Sequence, residues 1–118
     1  MDKKQLYDFA VKWIKKFEDP NISPNELLDH YLADECEALG FEMDCGQAFC
    51  AKYGDAAANS RVLKNIIQEV DDITLLGSAI YSRWRYFNHW AYSDEELLLQ
   101  KNRDWFILAF ERMKQMSK

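Results

Sequence analysis

The chain reads as all-α, a compact single-domain bundle of five to six helices with short connections. Apolar residues recur three and four positions apart through most of its 118 residues, which places them on one side of a helix. Helix-starting and helix-ending residues punctuate that pattern, and no stretch alternates apolar with polar residues between turns as a half-buried strand would. The length suits one hydrophobic core, and an apolar content of 48% is that of a globular chain.

The first helix is expected from about Lys3 to Glu18, with Leu6, Phe9, Ala10, Trp13 and Phe17 on one face and Asp8, Lys12 and Lys15 opposite, ending before Pro20. Ser23-Pro24-Asn25-Glu26 then supplies a start signal: Ser23 as N-cap, Pro24 at the first position and Glu26 placed for a capping box. Gly40 ends that second helix, whose apolar arc is Leu27, Leu28, Tyr31, Leu32, Cys36, Ala38 and Leu39. A shorter third helix follows Asp44, carries Cys45, Phe49 and Tyr53, and stops at Gly54.

The segment Asp55 to Ser60 reads as a loop, and a fourth helix from about Arg61 to Val70 buries Val62, Leu63, Ile66, Ile67 and Val70. Asp71 or Asp72 caps a long fifth helix over Ile73 to Tyr92. Ser93 to Glu96 forms another capping box, and a last helix from about Asn102 to Met116 presents Trp105, Phe106, Ala109, Phe110 and Met113. The expected core is Trp13, Phe17, Leu28, Leu32, Phe49, Ile66, Ile80, Trp84, Phe87, Trp105 and Phe110.

Composition excludes several roles. No apolar run approaches the roughly 18 residues of a membrane span, and the opening MDKKQLYDFAVKW is an amphipathic charged segment rather than a signal peptide. A cytoplasmic protein is expected. Cys36, Cys45 and Cys50 form no even framework and lack CxxC spacing, so free buried thiols are expected; a zinc site of these three with His30 would have nonstandard spacing. The net charge of −5 disfavours direct nucleic-acid binding, which needs clustered Lys and Arg. A helix-turn-helix fails for the same reason, since Asp71 and Asp72 would face phosphate.

Two charges sit where apolar residues belong. Arg83 projects into the apolar arc of the fifth helix, between Leu76 and Trp90, and Glu35 falls near the middle of the arc of the second. An unpaired charge in either place would be costly to desolvate, so a Glu35–Arg83 ion pair, buried or half-buried, is expected. The fifth helix also has a narrow polar stripe, Ser78, Ser82, Arg85 and His89. With Tyr86, Trp90 and Tyr92, the residues Arg85 and His89 make up a candidate interaction patch, because aromatics left outside a core are natural interface anchors.

No Gly-rich phosphate loop, GxSxG elbow or HExxH is present, and no cofactor is implied by the residue pattern. The stripe Glu26, His30, Asp34 and Glu37 could seat a divalent cation, although such stripes are ordinarily solvated. Asp34-x-x-Glu37 in LADECEAL and Glu69-x-x-Asp72 in EVDDITLL resemble the paired acidic motifs of all-α nucleoside triphosphate pyrophosphatases of the MazG and dUTPase type. That resemblance covers about a third of the chain and implies Asp34, Glu37, Glu69 and Asp72 as magnesium ligands. This sequence departs from it in having Asp34 where that family usually has Glu, and in the long gap between the motifs.

The charge distribution points elsewhere. From Glu18 to Asp44 there are nine acidic residues and no Lys or Arg, whereas the preceding helix carries Lys3, Lys4, Lys12, Lys15 and Lys16. Such an acidic surface can occupy a basic groove on a partner, as in small acidic helical inhibitors of phage-defence enzymes, whose size and charge are similar. The segments SRWRYFNHWAY and NRDWFILAFERM resemble parts of small uncharacterised helical proteins of Gram-positive bacteria and their mobile elements, a resemblance that brings no activity. The preferred expectation is a non-enzymatic interaction, inhibitor or regulator module that binds another protein or itself, with the magnesium-dependent pyrophosphatase as the alternative.

Overall fold

Every regular element among the described residues is helical. The computed structural model describes residues 2–27, 31–41, 47–53, 67–89 and 100–118. These form α1 (Lys3–Glu18), α2 (Pro24–Leu27), α3 (Tyr31–Ala38), α4 (Gln47–Tyr53), α5 (Ile73–His89) and α6 (Gln100–Met116). The expected fourth helix falls mostly outside the described residues, as do the core positions Leu28 and Ile66 and the side chain of Phe87.

Asp2 starts α1 by accepting a hydrogen bond from the Lys4 backbone N–H at 2.8 Å. Lys15 and Lys16 lie in its last turn, where cations complement the carbonyl end of the helix. The buried face Leu6, Phe9, Ala10, Trp13, Ile14 and Phe17 packs chiefly on α6. There Phe17 stacks on Phe106, centroids 4.6 Å apart, and Phe9 meets Phe110 edge-on at 5.7 Å. Ser23 caps α2, its hydroxyl accepting from the Glu26 N–H at 3.4 Å.

The end of α3 is a Schellman motif. Gly40, at φ 84°, occupies the left-handed position that a side chain resists. The Phe41 N–H donates to the Cys36 carbonyl at 3.1 Å, and the Gly40 N–H to that of Glu37 at 3.0 Å. This reversal drives Phe41 into the core at 4% exposure, beside Phe9 at 6.2 Å. Its ring lies directly on the backbone of α5: a Cβ built on Gly77 would overlap the Phe41 ring.

Helix α5 is the interior element, in contact with α3, α4 and α6. Residues 76–80 are five consecutive buried positions, more than one full turn, so that part of the helix is enclosed on every side. This corrects the expected solvent-facing stripe, because Ser78 has no exposed surface. Ser82 and Arg85, further along, are half-buried.

Two arginines of α6 tie chain segments to this frame. Arg103 is buried and donates to the Asp19 carbonyl at 2.7 Å, and Arg112 donates to that of Val70 at 2.8 Å. These bonds supply donors to the carbonyls just after α1 and just before α5.

Because the Phe41 ring fills the space where a methyl at position 77 would go, Gly77→Ala should destabilise the protein by about 1–3 kcal/mol despite alanine's better helix propensity. Urea unfolding of Gly77→Ala, Phe41→Ala and the double variant should give a double-variant loss smaller than the sum of the singles. Additive losses would mean that the two positions do not oppose one another.

Candidate functional site

The expected Glu35–Arg83 pair does not form, because each charge takes a different partner. The α3 face that enters the core is centred on Leu32, Ala33 and Cys36, which puts Glu35 at its flank, against α1. One carboxylate oxygen accepts from the Lys12 ammonium, and Oε2 accepts from the Trp13 indole Nε1–H at 2.8 Å. Arg83 lies over the Trp105 ring, 5.2 Å from its centroid, a cation–π arrangement that accommodates a guanidinium beside apolar surface.

Trp13 is fully buried, and its indole N–H reaches its acceptor only through Glu35. The Lys12 and Lys16 ammonium groups lie 5.5 and 4.6 Å from its ring centroid. The Lys12–Glu35 ion pair is partly exposed, so its own contribution is about 0–1 kcal/mol. The greater weight rests on the indole bond, since a buried donor without an acceptor costs about 1–3 kcal/mol.

This junction forms the wall of an open groove between α1 and α3, of about 280 Å³, lined by Gln5, Asp8, Phe9, Lys12, Glu35, Ala38 and Leu39. Helical spacing places Tyr31, Glu35 and Ala38 on one stripe of α3, with Asp34 beside it and Glu37 on the flank away from Glu35. Tyr31, Asp34, Glu37 and Ala38 are all exposed. Tyr31, at 64%, is the most exposed large apolar side chain among the described residues. The sequence arc assigned Tyr31 and Ala38 to the buried side because it was centred partly on Leu28. Once Leu32, Ala33 and Cys36 define the centre, both fall outside it.

The four carboxylates of the magnesium alternative are not drawn together. Asp34 and Glu37 face outward on α3, Glu69 is exposed ahead of α5, and Asp72 is the N-cap of α5. Its Oδ1 accepts from the Thr74 N–H at 2.9 Å, the Thr74 hydroxyl at 2.6 Å and the Leu75 N–H at 3.4 Å. These bonds, the Thr74 hydroxyl first, hold the Asp72 carboxyl below the usual carboxylate range. Among the described residues, no three His, Cys, Asp or Glu side chains come close enough to share a metal ion.

The thiol of Cys36 is pushed up to about 12 by burial and by the Glu35 charge, so it is neither a nucleophile nor a ready metal ligand. Cys45 and His30 lie outside the described residues, as do Trp90, Tyr92 and the side chains of Tyr86 and His89 from the expected aromatic patch. No helix among the described residues is long and apolar enough to cross a membrane. No family model, curated protein or solved structure matches the chain.

Two substitutions check these assignments. Glu35→Ala should lower the unfolding free energy by about 1–3 kcal/mol, whereas Glu35→Gln, which keeps an acceptor for Trp13, should cost less than about 1 kcal/mol. Equal losses would assign the effect to charge instead. Asp72→Ala should cost about 1 kcal/mol at neutral pH through loss of the cap. Since the folded carboxyl titrates lower than the unfolded one, that stabilisation is present above the unfolded range and is lost as pH falls through the folded one. Thermal unfolding of both proteins as a function of pH should converge in acid.

Proposed function

We propose that the chain is a non-enzymatic protein-interaction module, of the inhibitor or regulator kind, and that it engages its partner with the face formed by α1 and α3. The exposure of Tyr31 carries this reading. A tyrosine left 64% exposed in a small helical protein is a large, stiff side chain with an apolar body and a polar tip. Such side chains anchor interfaces at little entropic cost.

The surroundings support the same use. Asp34 lies one turn from Tyr31 on the exposed side of α3, and the groove floored by Phe9 and Leu39 opens further along the same helix. Charged groups around a hydrophobic anchor set orientation and association rate more than affinity, which suits selective recognition. Against the pyrophosphatase alternative stands the use of Asp72 as a helix cap.

Affinity capture from the native host tests this reading with three baits: the wild-type chain, Tyr31→Ala and Asp34→Lys. A partner held through this face should be recovered by the wild type, be depleted about tenfold or more on Tyr31→Ala, and fall with both Asp34→Lys and added salt. Recovery of the same proteins in the same amounts by all three baits would overturn the assignment of the face.

A further inference from the structure

We draw no further inference here: the strongest candidate, the open groove between α1 and α3 floored by Phe9, Ala38 and Leu39, has a charged lining of mixed sign in which Lys12 and Glu35 pair with each other and Asp8 shares the α1 wall with Lys12, and nothing in the structure shows what covers it.

Discussion

Phe17 lies nearly parallel to Phe106, with 15° between ring planes, and Phe110 touches both Phe17 and Phe9. This aromatic seam between α1 and α6 joins elements about ninety residues apart in sequence, so it is the contact that turns separate helices into one core. Everything described at the α1–α3 groove is built on its reverse side. Trp13 follows the same face of α1, and its position fixes where the indole N–H emerges and therefore where Glu35 must stand. A surface placed one layer above a stacked core inherits that core's rigidity, the condition under which its side chains hold one orientation.

Polar groups then close the frame at its ends. Arg103 and Arg112 hold carbonyls on either side of the helices that α6 touches, Ser117 returns its hydroxyl to the Met113 carbonyl at 2.7 Å, and Asp72 caps α5. None of these groups is free to do chemistry without loosening the helix or segment that it secures. The charges of the chain thus differ in kind: some are consumed by the architecture, and others, on the outer faces of α1 and α3, remain exposed.

Helix identity was legible because it depends on local periodicity and stop signals. Both ends of α1, the start of α5, the cap at Ser23 and the termination at Gly40 all follow from nearby residues. The burial of Trp13, Phe17, Leu32, Phe49, Ile80, Trp84, Trp105 and Phe110 followed from the same wheels. What the wheels could not supply was relative rotation and neighbourhood. Glu35 was recognised as a charge in need of an internal partner, but the partner lies on α1, and only the packing angle of α3 decides between Lys12 with Trp13 and Arg83. The enclosure of Ser78 is likewise a property of α5's neighbours, and Tyr31 was assigned inward because the apolar arc was drawn through residues on both sides of it. Asp72 illustrates a third kind of difficulty, since a cap and a metal ligand require the same side chain at the same place.

The ring of Phe41 rests in the notch left by the absent side chain of Gly77, a contact between the turn after α3 and the middle of an enclosed helix. Neither residue constrains the other through sequence proximity, and each is replaceable only if the other changes in size. Across descendants of this chain the two positions are therefore expected to drift as a linked pair, with bulk gained at one compensated by bulk lost at the other. The notch thereby leaves a historical signature, readable in sequences alone, of a contact that no local pattern in a single sequence reveals.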